Sequence, residues 1–314
     1  NCYIMINKRN QCILYATFRR HNLNGYKRLG KTISYIRKNK NIPIKQVIGE
    51  KITRSAYSRF ASGQTNTSID NFFFFMNNLH INFEEFIYIQ NKYEIDKYQK
   101  LLKKAQVATH QKNIKELEKI KKRFDNYVKA TEYTEPLHLK CIITLTINQL
   151  KREPYDENAK QIITDYLEQC ESWMHYELVL FNNAMFIFDL RLIKIMKRKV
   201  IHNLEKYQNL RSYGSESFRV LINILMLFLE HSEFNEARLL VDEIDEFQLH
   251  GDMFFEKVLR MYFTGLVDFI SSKGQEQTLL NKSLDILKSI SRNEYYAVLS
   301  TYLTKMKQQY KLLD

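Results

Sequence analysis

The sequence predicts an all-α protein with a small basic helix-turn-helix head and a longer helical-repeat body. Three observations carry that prediction. The 314 residues include only eight Gly and three Pro, too few for the many turns of a sandwich, a barrel or an α/β fold. Leu, Ile, Lys, Glu, Asn, Phe and Tyr dominate long stretches at helical period. Charge sits at one end: residues 1–70 hold 14 Lys and Arg against Glu50 and Asp70, so of the chain's 48 bases and 35 acids the other 244 residues keep 34 and 33. A basic head on a balanced body points to a head that meets a polyanion, because Lys and Arg neutralising phosphate supply most non-specific nucleic-acid affinity.

Residues 1–25 are an atypical segment that reads as neither a clear helix nor a linker and is assigned no element. The head spans 26–90. Leu29, Ile33 and Ile36 recur at i, i+4, i+7 and define a first helix, with Lys31, Arg37 and Lys38 on its other face, stopped by Asn41 and Pro43. Ile44, Val47 and Ile48 make a short second helix, ended by Gly49, which tolerates positive φ. Thr53 stands as N-cap of a third helix, Arg54 to Ser62, with Gly63 after it. Tyr57 and Phe60 face that helix to the core and leave Arg54, Ser55, Ser58 and Arg59 outward, with Thr53 and Lys51 at its entry. A capped helix with small polar residues and two arginines suits the major groove. Its first amides meet phosphate and Arg forks pair with guanine O6 and N7. Ser68 caps Ile69 to Leu79, and Asn82 with Glu85 forms a capping box for the helix from Phe83.

Leu29-Gly30-Lys31-Thr32-Ile33, Ser58-Arg59-Phe60 followed by Gly63, Leu79-His80-Ile81 and Glu84-Glu85-Phe86 resemble the N-terminal domain of Rgg/GadR/MutR transcriptional regulators. That resemblance implies a Cro/repressor-type helix-turn-helix domain. Ala61 stands where the family usually has Glu, and Ile48 replaces its usual small residue.

From residue 91 to 314, about ten or eleven amphipathic segments follow one another with short connections. Helix starts at Asn113-Ile114-Lys115-Glu116, Glu157-Asn158-Ala159, Phe234-Asn235-Glu236-Ala237 and Gln275-Glu276-Gln277 lie near 40 residues apart, or a multiple of it. Two helices per repeat at that period read as a tetratricopeptide-like solenoid with a concave face. Asn148, Asn182 and Asn223 each interrupt an apolar helix run, and Asn182 is followed by Asn183. A mid-helix Asn is either a satisfied core amide or one of an array lining a groove, where side-chain amides hold the backbone of an extended peptide.

The resemblance continues through Trp173, Tyr176-Glu177-Leu178, Leu180-Phe181 and Asn183, then Val220-Leu221-Ile222-Asn223 and Ala237, and covers about 27–310. It implies a body that binds a short signalling peptide, with Asn183 and Asn223 on the peptide backbone and Asn148, Phe186 and Tyr176 alongside. Phe186 occupies the position where the pheromone-binding members are expected to carry a basic residue, which implies a more apolar, hydrophobic ligand.

Other classes find no support in the residues. There is no Gly-rich phosphate loop, no G-x-S-x-G and no H-E-x-x-H, so no enzyme, metal site or cofactor is expected. Asp242, Glu243, Asp245 and Glu246 read as a solvated helix face. Cys2, Cys12, Cys141 and Cys170 lack C-x-x-C spacing and read as reduced thiols. The longest apolar stretch, Val220 to Leu229, is broken by Asn223 and too short to span a bilayer, and Arg19, Arg20 and His21 follow only a weak apolar run, without a signal-peptide cleavage site. The expectation is a cytoplasmic homodimeric transcriptional regulator that binds double-stranded promoter DNA and a short hydrophobic peptide controlling promoter activation, with the last helices, Leu279 to Leu313, in the dimer interface. The alternatives are a regulator of the same architecture without a peptide ligand and a protein-interaction scaffold with a basic arm.

Overall fold

A computed structural model of the chain describes residues 25–95, 97–130, 134–207, 209–290 and 294–312. The expectations for residues 1–24, Cys2 and Cys12 among them, fall outside the described residues. The described residues form helices and turns with no strand. They divide into two compact units, one ending at Lys103 and the other beginning at Lys104.

The first unit is built from α1 (Gly25–Asn39), α2 (Ile44–Ile48), α3 (Arg54–Ser62), α4 (Ile69–Asn78) and α5 (Phe83–Gln90). Local chemistry sets each boundary. Asn41 takes φ 53° after α1, and Gly49 takes φ 54° after α2. Thr53 Oγ1 accepts the Ala56 N–H at 3.2 Å, and Gly63 closes α3 at φ 81° with its N–H on the Phe60 carbonyl. Ser68 Oγ accepts the Asn71 N–H, and Asn82 Oδ1 accepts the Glu85 N–H at 2.8 Å.

Ile33, Ile36, Val47, Tyr57, Phe60, Phe75 and Phe86 lie in one core. Phe75 is its centre: Phe60 stacks on it at 5.6 Å and Tyr57 meets it edge-on at 5.5 Å. Asn78 Nδ2 donates to the Val47 carbonyl at 2.9 Å and ties α2 to α4, and Lys40 Nζ donates to the Leu79 carbonyl at 2.8 Å. A Cβ on Gly30 would stand 1.8 Å from the Phe60 carbonyl oxygen, so α1 can cross α3 at this depth only because residue 30 has no side chain.

The boundary falls within α6 (Lys97–His110), and the second unit continues along α7 (Ile114–Ala130), α8 (Thr134–Lys151), α9 (Glu157–Gln169), α10 (His175–Ala184), a short 3-10 turn at Met185–Ile187, α11 (Leu190–Tyr207), α12 (Arg211–Glu230), α13 (Phe234–Asp245), α14 (Phe254–Ser271), α15 (Thr278–Ile290) and α16 (Glu294–Gln309). Sequence neighbours pack along most of the unit: α7 on α8, α8 on α9, and each helix on the next from α11 to α16. Alternate helices also touch: α8 meets α10, α10 meets α12, and α12 meets α14. That second set of contacts is the layer of a helical-repeat stack.

Every residue of α12 from 217 to 229 is buried. Its polar groups are answered from other helices. Ser217 Oγ donates to Asn203 Oδ1 at 2.7 Å, and Asn203 Nδ2 donates to the Trp173 carbonyl at 3.0 Å. Arg219 Nε donates to Glu256 Oε1 at 3.0 Å, and Ser215 donates to the same carboxylate. The end of α12 is held by α16 and the turn after it: Tyr302 donates to the Met226 carbonyl, and Gln309 and Tyr310 donate to the Leu229 carbonyl. Gly265 repeats the lesson of Gly30, because an added Cβ would stand 2.5 Å from the Leu280 nitrogen where α14 meets α15.

Gly30→Ala is expected to destabilise the first unit by about 3 kcal/mol or more through backbone overlap. At Gly251 no atom lies within 4 Å of an added Cβ. Gly251→Ala is therefore expected to change stability by less than about 0.5 kcal/mol. Denaturant unfolding followed by circular dichroism on both variants checks the contrast.

Candidate functional site

In the first unit, Tyr57 and Phe60 anchor α3 and thereby decide which of its residues are free. Thr53, Arg54, Ser55, Ser58 and Arg59 are all exposed, as their spacing predicts. Neither the Arg54 nor the Arg59 guanidinium meets a carboxylate among the described residues, so both forks are open to an external acceptor. Lys51 is exposed too, and its ammonium stands 5.5 Å from the centre of the Phe74 ring, an interaction that orders a cation at the entry to α3. Near Tyr57, Arg37 donates to the Ile42 carbonyl at 2.9 Å. Burial pushes the Tyr57 phenol up, and the Arg37 charge only partly offsets it. The arrangement is a rigid helix end with open cations and small polar groups, which can engage phosphates and base edges.

In the second unit, the layer of α8, α10 and α12 carries the mid-helix asparagines. Asn223 Nδ2 donates to Asn182 Oδ1 at 2.8 Å across the α10–α12 contact. Asn223 is 1% exposed, and its Oδ1 is buried without a hydrogen-bond partner among the described residues. Asn183, half-buried, turns its Nδ2 to the Val179 carbonyl one turn back at 2.7 Å. Asn148 lies at the end of α8, where its Oδ1 accepts the Asp156 N–H at 3.1 Å and closes the turn to α9. The structure thus joins Asn223 to Asn182, the neighbour of the predicted Asn183, and leaves Asn148 near the end of α8, spent on the turn that follows. Phe186 is half-buried with its ring 5.8 Å from that of Tyr155.

Tyr176 belongs to a network that its own sequence context does not announce. Its hydroxyl shares a 2.7 Å hydrogen bond with His138 Nδ1. Tyr166 donates to Glu177 at 2.6 Å, and Glu177 also accepts the Met174 N–H at 2.9 Å. The His138 ring lies 4.5 Å from that of Tyr166, so residues from α8, α9 and α10 converge. Burial depresses His138 to about 4, more than the Glu177 charge raises it. Burial and the Glu177 carboxylate together push Tyr166 up, and burial lifts the Cys141 thiol to about 11. A signal for this cluster exists only in retrospect: a His inside an apolar helix, with Tyr and Glu one helix pair away.

Two expectations follow. If Arg54 and Arg59 read bases, each Ala substitution costs about 1–3 kcal/mol in operator affinity, read from a binding isotherm on a captured DNA fragment. His138 is depressed in the fold, so below its ordinary value of 6.5 the unfolded chain binds the proton more readily. Stability is therefore full above that value and falls as pH drops from 6.5 toward about 4. Replacement by Gln should flatten that part of the unfolding-versus-pH curve.

Among the described residues no helix is long and apolar enough to cross a membrane, and no group of three or more His, Cys, Asp or Glu is placed to hold a metal ion. Comparison with known families matches residues 111–302 to the C-terminal domain of the HTH-type transcriptional regulator Rgg. Among solved structures, a protein of Listeria monocytogenes EGD-e superposes with a TM-score of 0.80 at 17% identity, over 92% of this chain and 100% of its own. The SHP pheromone receptor Rgg2 of Streptococcus dysgalactiae superposes with a TM-score of 0.71 at 20% identity, over 88% and 99%. RopB superposes with a TM-score of 0.55 at 29% identity, over 72% and 99%. At these identities the first two establish a shared fold.

Proposed function

Since the chain belongs to the Rgg family of helix-turn-helix transcriptional regulators, we propose that α3 reads a promoter while the α8–α10–α12 layer binds a short hydrophobic peptide that controls promoter activation. The observation that carries the peptide reading is Asn223 Oδ1, a buried acceptor left over after the amide has donated to Asn182. Buried polar atoms almost always have a partner, and a peptide N–H supplies one. Rgg2, which shares the fold, is a pheromone receptor, and the same use of the body is carried here to this chain. Phe186 and Tyr155 offer apolar and aromatic surface beside the layer, which favours an apolar ligand over an acidic one.

In this reading the chain works as a homodimer, with two copies of α3 matching a two-fold symmetric operator. Peptide binding acts by its differential affinity for two arrangements of the dimer. A peptide-independent regulator of the same architecture is the competing account, and the Asn223 acceptor is what weighs against it.

Capture of genomic fragments by the purified protein at near-physiological salt, followed by sequencing, tests the DNA arm. A small set of promoter segments sharing a palindrome is expected, and enrichment without sequence preference would contradict the reading. Short hydrophobic peptides encoded beside the captured promoters then serve as titrants. Asn223→Ala is expected to weaken the peptide isotherm by about 1–3 kcal/mol and to leave DNA affinity unchanged. Calorimetry showing equal peptide affinity in wild type and variant would remove Asn223 from the site.

A further inference from the structure

The second unit carries cationic surface that the proposed function does not use. On α7, Lys115, Lys119, Lys122 and Lys129 are all exposed, and Arg123 stands exposed beside them. Their spacings of four, three and seven residues set the four lysines in one line along the helix. At 1.5 Å per residue that line is about 20 Å long.

The helix has three carboxylates, and each is engaged. Asp125 pairs with Lys140 at 2.6 Å and Glu118 with Lys151 at 3.1 Å, both lysines on α8. Glu116 lies 3.6 Å from Lys119 on α7 itself. Lys115, Lys122, Arg123 and Lys129 meet no carboxylate among the described residues. Two of the three acids are engaged by lysines of the neighbouring helix and the third offsets only Lys119, so four bases left outward raise the positive potential of one face beyond what the near-neutral composition of the body implies.

The remaining exposed residues of α7 are Glu118, Asn126 and Ala130. The lysine line therefore has no fully exposed aromatic ring on which a single-stranded base could stack, half-buried Tyr127 lying against Phe124 to one side, and no large apolar side chain to enter a bilayer. A linear array of charge without stacking or insertion groups fits a regular line of phosphates, and a duplex presents one negative charge per about 1.7 Å of axis. We propose that this face of α7 is a second, sequence-independent binding surface for the phosphates of duplex DNA, distinct from α3. The proposal rests on the chain being a DNA-binding protein.

The test uses the full chain with Lys115, Lys122, Arg123 and Lys129 all replaced by Gln. A companion replaces the three lysines by Arg. Two duplex probes are titrated across a range of salt, a mixed-sequence DNA duplex and a fragment captured by the wild type, with single-stranded RNA and phosphatidylglycerol vesicles titrated beside them. The Gln variant is expected to bind both at least tenfold more weakly at low salt. Its slope of log affinity against log salt should become shallower by about 0.9 for each phosphate the protein no longer neutralises, roughly 2–4 in all. Its preference for the captured fragment over the mixed duplex should persist, and the Arg variant should behave as wild type.

Unchanged affinity and slope in the Gln variant would overturn the proposal while leaving the promoter reading by α3 intact. So would a loss confined to single-stranded RNA, or to phosphatidylglycerol vesicles, with duplex binding unaffected. Absence of duplex binding by the wild type would overturn both readings, and the wild-type titration separates that case from the others.

Discussion

From residue 217 to 229, α12 has no solvent-facing side, and every polar group it carries must be answered from within the protein. That constraint organises the second unit. Ser217 recruits Asn203, which in turn holds the carbonyl of Trp173, so α11 and the connection leading into α10 are registered against α12 through one chain of bonds. Arg219 requires Glu256, and Phe255 lies under the guanidinium at 5.3 Å, which registers α14. The terminal carbonyls of α12 require Tyr302, Gln309 and Tyr310, which registers α16 and the residues that follow it. Apolar packing alone would let these helices slide, whereas the polar requirements permit few registers.

One atom escapes that accounting. Asn223 donates to Asn182, but among the described residues its own carbonyl oxygen is left buried without a partner, at a cost of about 1–3 kcal/mol. An otherwise satisfied helix that tolerates such a cost is consistent with a site whose ligand completes it. The neighbouring cluster of His138, Tyr176, Tyr166 and Glu177 shows the opposite condition, with burial holding the imidazole neutral at ordinary pH. The two clusters share α10, so the stability of one bears on the geometry of the other.

The first unit depends on a different constraint, the close crossing of α1 and α3 at Gly30. The depth of that crossing brings Phe60 onto Phe75 and turns Arg54, Ser58 and Arg59 outward. The residues proposed to face DNA are therefore exposed as a consequence of core packing, and Lys51 joins them through the Phe74 ring.

The sequence by itself determined what depends on near neighbours along the chain. Helical period, the Thr53, Ser68 and Asn82 caps and the glycines at 49 and 63 all act within a turn, and α2, α3 and α4 lie where those signals put them, within a residue at their ends, as does the start of α5. The outward face of α3 was legible for the same reason. Tertiary structure decided the rest, because it depends on residues from 8 to 41 positions apart being brought together by packing. Pattern alone could not separate Asn182 from Asn183 as the partner of Asn223, nor see that Asn148 would spend its carbonyl on the Asp156 amide. It could not assign His138 to Tyr176, Arg219 to Glu256, or the acids of α7 to the lysines of α8. Helix formation is a local free-energy balance, whereas the choice of partner across helices is made only when the core closes.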